Sequence, residues 1–193
     1  MTLISIDDGF RRTKAVLAGE DGKGFRTEVQ FSSAAPGFVL GQTGGSGQDR
    51  FSGNYSTEGQ DFTIDPHVDG DDTRFDGYAL SDLNRVLVHH AMHSVGLSGQ
   101  HVTLATGLPL ATYFDPSGRP RTDLIGQKKR SLAKPVVAHS GAAPVVVERQ
   151  IVCPQGVAAF ADWLLDDDLN LRDGRSPSQR LAIIDIGGRT TDT

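Results

Sequence analysis

The chain contains two copies of one short pattern, one near each end. Each copy is an apolar run followed by aspartate, any residue, glycine, any residue, arginine, any residue and threonine. Residues 3–6 precede Asp7 in the first copy, and residues 181–184 precede Asp185 in the second. An apolar run that ends in a carboxylate and a glycine is typical of a buried strand opening into a tight turn. Two such units far apart in the sequence predict two loops that close on one ligand from opposite sides.

The turn after Asp185 combines paired glycines with a cluster of hydroxyl residues. Glycines let the backbone approach a ligand closely, and successive backbone N–H groups form a concave anion site. An aspartate at the end of the strand is suited to hold a hydrated magnesium ion. Taken alone, the stretch is equally consistent with a strand that ends in an ordinary Gly-Gly hairpin turn. The matching copy at Asp7 favours phosphate binding.

The composition excludes several classes of function. The 193-residue chain has 24 acidic and 19 basic residues and a net charge of -5, without a basic run, so we expect no direct contact with nucleic acid. Cys153 is the single cysteine, which excludes an internal disulfide framework and fits a reducing cytosol. No stretch is apolar for long enough to span a bilayer, and acidic residues interrupt the first apolar run. We therefore expect a cytoplasmic protein with neither signal peptide nor membrane anchor.

The first part of the chain predicts a three-stranded antiparallel meander followed by an insertion. The strands are expected at residues 3–6, 14–18 and 25–31. From residue 37 to 77 the composition shifts to Gly, Ser, Asp, Gln and Thr, which indicates a small inserted subdomain. Within it, residues 51–55 and 61–64 are expected to pair as an exposed hairpin across the Thr57-Glu58-Gly59 turn.

Residues 82–95 predict the clearest helix, with Ser81 as its N-cap and Gly96 at its end. Its apolar positions form two adjacent stripes, which indicates a helix largely covered by a sheet. The helix also carries His89, His90 and His93. The first and third share a face at a spacing that zinc sites use, but the metalloprotease glutamate and a third ligand are missing. We expect these histidines to pack or to lie at the helix margin, with zinc binding as the less favoured alternative.

The rest of the chain alternates strands with helices. A strand is expected at residues 101–106, and Thr122 is placed to cap a second helix whose lysines, Lys128 among them, we expect to be solvated. Residues 144–153 predict a β-branched strand, and Pro154 suits the first position of a third helix. This order predicts an α/β protein with a mixed sheet and helices packed on it.

Three segments carry a resemblance to a known family. They are IDDG followed by Lys14, the sequence GLPLATYFD at residues 107–115, and the sequence IIDIGGRTTD at residues 183–192. With this order of strands and helices, the chain resembles the actin-like ATPase superfamily and, within it, the ParM/StbA plasmid-segregation proteins. The two outer segments are specific to the superfamily, whereas the middle one points to the ParM-like branch.

The resemblance implies an actin-like, ribonuclease H-like fold. Its core would comprise residues 1–36 and 78–193, with residues 37–77 as the inserted subdomain. The second half of the family's fold, with its adenine-binding elements, would be absent from these residues. We therefore expect this fragment alone to hydrolyse little or no ATP.

The resemblance also implies a site for ATP or GTP with magnesium. Asp7 and Asp185 would hold the magnesium ion through water, and Lys14 would contact the β and γ phosphates. Gln155 falls on the residue that positions the attacking water, so Gln155 and Asp185 are the catalytic candidates. The other candidates for nucleotide binding are Asp8, Gly9, Arg11, Thr13, Gly187, Gly188, Arg189 and Thr190.

By resemblance, the complete protein would hydrolyse ATP slowly, polymerise into filaments and move plasmids apart through an adaptor protein bound to centromere-like DNA. A small-molecule kinase of the sugar or acetate type and a chaperone-type nucleotide domain share the phosphate loops and are the alternatives. The chain departs from the family at Phe10, because a small hydroxyl residue usually follows the glycine of the first loop. Bulk at Phe10 could displace the backbone from the phosphate, and the alternative is that the neighbouring arginines, Arg11 and Arg12, compensate as anion ligands.

Overall fold

The computed structural model describes residues 1–18, 25–31, 33–38, 53–186 and 191–192. The strands are β1 (Thr2–Asp8), β2 (Arg12–Ala18), β3 (Phe25–Phe31), β4 (Ala35–Pro36), β5 (Gly53–Thr57), β6 (Gln60–Ile64), β7 (His101–Leu108), β8 (Val137–Ala138), β9 (Val146–Pro154), β10 (Asp185–Ile186) and β11 (Thr191–Asp192). The α-helices are α1 (Asp82–Ser94), α2 (Leu110–Tyr113), α3 (Thr122–Leu132) and α4 (Gln155–Leu164), and a 3-10 helix (Tyr78–Leu80) precedes α1.

The main sheet has five strands in the order β3-β2-β1-β7-β9. Strands β1, β2 and β3 pair antiparallel, which confirms the predicted meander. Strand β7 pairs parallel with β1, and β9 pairs parallel with β7. Parallel neighbours need long crossover connections, and α1 and α3 lie in the two crossovers. The mixed sheet predicted from the sequence is therefore present.

One face of the main sheet is covered by helix α1. Alternation along β1 buries Ile4 and Ile6 on that side and leaves Leu3 exposed on the other. Val88 and Met92 of α1 are fully buried in the same cluster as the two isoleucines. We call the covered side the helix face and the side that carries Leu3 the open face.

A second sheet has four strands in the order β4-β6-β5-β8. Its β5–β6 hairpin turns at Glu58 and Gly59, where φ is 50° and 80°, the left-handed geometry that suits a two-residue hairpin. The hairpin was correctly predicted, but the expectation that it is exposed is wrong. Tyr55 and Phe62 are only 4% and 6% exposed and join a cluster with Leu83 of α1. The boundaries 1–36, 37–77 and 78–193 stay a prediction, and β8 joins this sheet from outside the middle range.

Helix α1 begins and ends as predicted, within one residue. The Ser81 hydroxyl accepts a hydrogen bond from the Asn84 amide at 3.1 Å, which satisfies one of the N–H groups that a helix start leaves free. Gly96 takes a φ of 87° just after the helix, which a residue without Cβ adopts at little cost.

Two details of the later helices differ from the predictions. Helix α3 begins at Thr122 itself, with Arg121 as the N-cap residue, so Thr122 does not cap it. Pro154 is the N-cap residue of α4 rather than its first helical residue. The larger correction concerns Lys128 of α3, because its side chain is 0% exposed rather than solvated.

Residues 181–184 do not form the buried strand that their apolar run predicts. Leu181 and Ile184 are 40% and 65% exposed. After them, β10 and β11 pair antiparallel with Asp185 opposite Asp192, in a small sheet separate from the main one. An apolar run is stable as a strand only where it can pair and bury one side. None of the described strands outside this segment pairs with residues 181–184.

Candidate functional site

The parallel strands β1, β7 and β9 end at one edge of the main sheet. Their register pairs Ile6 with Thr106 and Thr106 with Val152, so the three strands finish side by side. The segments that follow them are the first loop, the start of α2 and the start of α4. In open sheets with parallel strands, ligands bind outside the carboxyl ends of the strands. This edge is therefore the candidate site.

Asp7 and Lys14 lie on the open face at this edge. They are cross-strand partners in the β1–β2 ladder, and Lys14 Nζ lies 2.8 Å from Asp7 Oδ2. Both side chains are about half exposed, at 51% for Lys14 and 47% for Asp7. An ion pair with this exposure is weakly held, because water screens it. Both groups can therefore turn to a ligand at low cost.

Asp8 and Thr13 form the next cross-strand pair and lie on the helix face instead. They are 6% and 1% exposed. Asp8 Oδ2 lies 2.5 Å from Lys128 Nζ and accepts a hydrogen bond from Asn84 Nδ2 at 2.7 Å. The side chains of Asp8 and Thr13 are thus packed under the sheet, away from the open face. Their predicted role in nucleotide binding is not tested by this geometry.

Lys128 and Asn84 support the first loop from the helix face, and neither contact was predicted from the sequence. Lys128 also donates to the carbonyl oxygen of Ala79 at 3.3 Å, so it joins α3, the segment before α1 and the first loop. A signal was available, because Lys128 falls on the apolar stripe of α3 with Leu132, which is also 0% exposed. A lysine on a buried stripe needs an anionic partner.

The tip of the first loop carries Gly9, Phe10 and Arg11. A Cβ added to Gly9 would lie 3.1 Å from the carbonyl oxygen of Arg12, so the turn leaves little room there for a side chain. The Phe10 ring packs against Tyr78 with centroids 5.4 Å apart, and its carbonyl oxygen accepts a hydrogen bond from the Thr73 hydroxyl. The bulk of Phe10 is therefore accommodated in the core beneath the second sheet, whereas Arg11 is exposed.

Gln155 opens helix α4, and its side chain lies across Gly107 of β7. A Cβ built on Gly107 would stand 2.6 Å from Gln155 Cγ and 3.2 Å from its Nε2. Gly107 lies between the buried Thr106 and Leu108, so it faces the open side of the sheet, as Asp7 does. Adjacent strands lie about 4.8 Å apart. Gln155 is therefore placed one strand away from Asp7, on the same face.

The second predicted loop is only partly described. Asp185 has a defined place in the backbone ladder, and nothing is stated of its side chain. Gly187, Gly188, Arg189 and Thr190 lie outside the described residues. The roles assigned to these five residues stay predictions.

His89 and His90 of α1 pack inside the protein, whereas His93 is only partly buried, near the helix end. His89 Nε2 lies 3.2 Å from the Leu132 carbonyl oxygen, and His90 Nδ1 lies 2.7 Å from the Tyr55 hydroxyl. Burial lowers the pKa of His89 to about 4, so its ring is neutral at neutral pH. His93 Nδ1 lies 2.8 Å from the Ser98 hydroxyl. Among the described residues no group of three or more His, Cys, Asp or Glu side chains could hold a metal ion.

Residues 2–164 match the family model described as plasmid segregation protein ParM, N-terminal. The chain belongs to this family. Because the match covers most of the chain, it supports the ParM interpretation over a small-molecule kinase or a chaperone-type domain. No reviewed protein sequence shows significant similarity to the chain.

Solved structures support the actin-like fold of this ParM-family chain. It is similar to the actin-like protein Alp7A, with a TM-score of 0.64 and 11% identity, over 89% of this chain and 49% of Alp7A. The apo pSK41 ParM protein matches with a TM-score of 0.60 and 14% identity, over 86% of this chain and 53% of that one. An AlfA filament bound to AMPPNP matches with a TM-score of 0.55 and 15% identity, over 86% and 59%. The chain thus spans about half the length of these structures.

In the described part of this ParM-family chain, no helix is long and apolar enough to cross a membrane.

Proposed function

We propose that this chain is the N-terminal part of a cytoplasmic, ATP-dependent filament protein of the ParM type that segregates plasmid DNA. The observation that carries the proposal is the common placement of Asp7, Lys14 and Gln155. All three lie on the open face, where the parallel strands end. A cation can contact phosphate, a carboxylate can hold a hydrated magnesium ion and a carboxamide can orient water, which are recurring parts of sites for phosphoryl transfer to water.

The chemistry of Asp7 fits a magnesium ion. Magnesium keeps several of its waters and takes one or two carboxylates together with the substrate phosphates, so a dedicated cluster of ligands is not needed. Asp7 is half exposed and free to turn from Lys14. Asp7 and, by resemblance, Asp185 would hold the ion through water, and the ion would neutralise charge on the β and γ phosphates. GTP is the alternative nucleotide.

Lys14 would then contact the phosphates as a point charge. Once Asp7 turns towards the ion, the ammonium group of Lys14 lacks its carboxylate partner and is available to the β and γ oxygens. The exposed Arg11 at the loop tip is a further cation beside this position. The first loop and, by resemblance, Gly187 and Gly188 would offer backbone N–H groups to the same phosphates.

Gln155 would orient the attacking water. The water oxygen bonds to the γ phosphorus while the bond from that phosphorus to the bridging oxygen breaks, and the electron pair leaves with ADP. A carboxamide cannot take a proton at neutral pH, so the water's proton passes to the released phosphate. Phosphoryl transfer depends mainly on positioning and electrostatics. We therefore expect slow hydrolysis that limits the lifetime of a filament.

The proposal includes the partners of the complete protein. The AlfA structure that resembles this chain is a filament bound to AMPPNP, which supports self-association and nucleotide binding as proposals for this protein. An adaptor protein bound to centromere-like plasmid DNA would link the filament to its cargo. The net charge of -5 supports an indirect attachment, because the chain offers no basic surface run to DNA.

The test uses the complete native protein that contains these residues. We expect it to sediment as filaments with ATP and magnesium and to remain in the supernatant with ADP. Asp7→Asn should weaken magnesium-dependent ATP binding by about 10- to 100-fold, the usual loss when a group that orients a metal's ligands is removed. Asp167→Asn, in the exposed loop after α4, is the matched control and should bind as wild type. Sedimentation that is the same with ATP and with ADP contradicts the proposal, and so does wild-type ATP binding by Asp7→Asn.

A further inference from the structure

Two glycines join residues 107–110, at the end of β7 and just after it, to the start of α4. Gln155 lies over Gly107, and Leu110 lies over Gly156, where a Cβ would stand 2.9 Å from Leu110 Cδ1. Each segment thus places one side chain on the other segment's glycine. A Cβ at either glycine would stand less than 3 Å from the side chain that lies over it, so that side chain would have to shift. We call this pair of contacts the glycine interlock.

The backbone does not explain why position 107 is a glycine. The structure places Gly107 inside strand β7, and its φ lies outside the left-handed region that favours glycine. Glycine inside a strand costs about 0.5–1 kcal/mol in chain entropy, and it marks places where another group approaches closely. At Gly107 the approaching group is the side chain of Gln155.

We propose that the glycine interlock positions Gln155 to orient the attacking water, with Gly107 as the main positioning residue. The inference rests on the function proposed above, because it concerns how Gln155, the residue that orients the water, is held in position. Without a Cβ at 107, the aliphatic part of Gln155 can lie on β7, so its carboxamide stays over the strand next to the one that carries Asp7. Leu110 on Gly156 holds the first turn of α4, from which Gln155 extends.

The substitution Gly107→Ala separates this role from a structural one. The new methyl would displace Gln155 from β7, while the backbone could adopt its native angles without strain. A displacement of about 1 Å in a catalytic group can cost about 10²-fold in rate. We expect Gly107→Ala to lower kcat for ATP by about 10- to 100-fold, to leave KM within about threefold of wild type and not to lower the melting temperature.

The experiment measures ATP turnover by the complete native protein in four variants. They are Gly107→Ala, Gln155→Ala, the double variant and Gly126→Ala. The last is the matched control, because a Cβ at Gly126 in α3 meets only the flexible end of the Arg130 side chain, at 3.1 Å. If Gly107 acts through Gln155, the double variant is no slower than Gln155→Ala, since residues acting as a unit are not additive. Multiplied losses in the double variant, or wild-type kcat for Gly107→Ala, overturn the inference.

A second measurement reads the position of Gln155 without activity. In protein labelled with ¹⁵N-glutamine, the Gln155 side-chain amide is assigned by its loss in Gln155→Ala. This amide should show a nuclear Overhauser effect to the Hα atoms of Gly107. Leu110→Ala removes the other contact of the glycine interlock, so the effect should be lost in that variant. If wild type turns over no ATP, the proposed function fails and the positioning role fails with it. If wild type turns over ATP but lacks this contact, only the positioning inference fails.

Discussion

Replacing Lys128 by methionine tests the buried ion pair beneath the first loop. Methionine has a similar length and no charge, so the substitution removes the partner of Asp8 with little change in volume. Lys128 and Asp8 have side chains that are 0% and 2% exposed. In Lys128→Met, Asp8 Oδ2 would keep only the hydrogen bond from Asn84, at 2.7 Å. The carboxylate would then be buried without a counter-charge.

The expected cost follows from that burial. Removing one partner of a buried pair costs about 3–5 kcal/mol, because the remaining charge loses its compensation. For a chain of this size, 1 kcal/mol shifts the melting temperature by about 2–4 °C, so the shift should be about 6–20 °C. Urea unfolding followed by circular dichroism gives the free energy, and a thermal melt gives the temperature.

Two further variants make the result interpretable. Lys129→Met changes the exposed neighbour in the same helix and should cost less than about 0.5 kcal/mol. The double variant Asp8→Asn with Lys128→Met removes both charges and should recover most of the loss, because a buried pair gains little over neutral groups of similar shape. A loss in Lys128→Met no larger than that in Lys129→Met would refute the argument. So would a double variant as unstable as the single one.

Two more predictions concern helix α1. Because burial lowers the pKa of His89 to about 4, the unfolded chain binds a proton below pH 6.5 that the folded chain does not. The contribution of the neutral His89 ring to the free energy of unfolding is therefore complete above pH 6.5. The free energy of unfolding falls by about 3 kcal/mol as the pH drops to 4, since one pKa unit is about 1.4 kcal/mol. His89→Gln should flatten a plot of unfolding free energy against pH over this range, and an unchanged slope would contradict it. Glu58→Gln weakens the contact that Glu58 Oε2 makes with the fully buried Arg85, at 2.7 Å, and should cost about 1–3 kcal/mol in urea unfolding. The exposed Lys134, which also contacts Glu58, gives the control: Lys134→Met should cost less than about 1 kcal/mol.

Much of the fold was predictable because its signals are local. Alternation over residues 25–31 indicates a strand, and Ser81 followed by an amphipathic run indicates a helix start. The Asp7–Lys14 contact also follows from short-range pairing, because a tight turn between β1 and β2 sets their register. These features depend on residues within a few positions of one another, so a sequence pattern contains most of the information.

The errors lie where partners are distant in sequence. Lys128 finds its carboxylate 120 residues away, and no local pattern shows that pairing. Residues 181–184 have the composition of a buried strand, yet no described strand pairs with them, so Leu181 stays exposed. Burial of a charge or of an apolar run is decided by what lies opposite, which spacing along the chain does not reveal.

The sequence by itself determined the chemistry available to this protein: two aspartate-glycine turns, a lysine beside the first, and a glutamine at a helix start. Only the tertiary structure decided which of these groups face the same way. Alternation sends Asp7 to the open face and Asp8 to the helix face. The pairing of β9 with β7 brings Gln155, at the start of α4, onto Gly107. The physical reason is that a side chain's direction follows from strand pleat and pairing, and pairing depends on residues that the sequence separates widely.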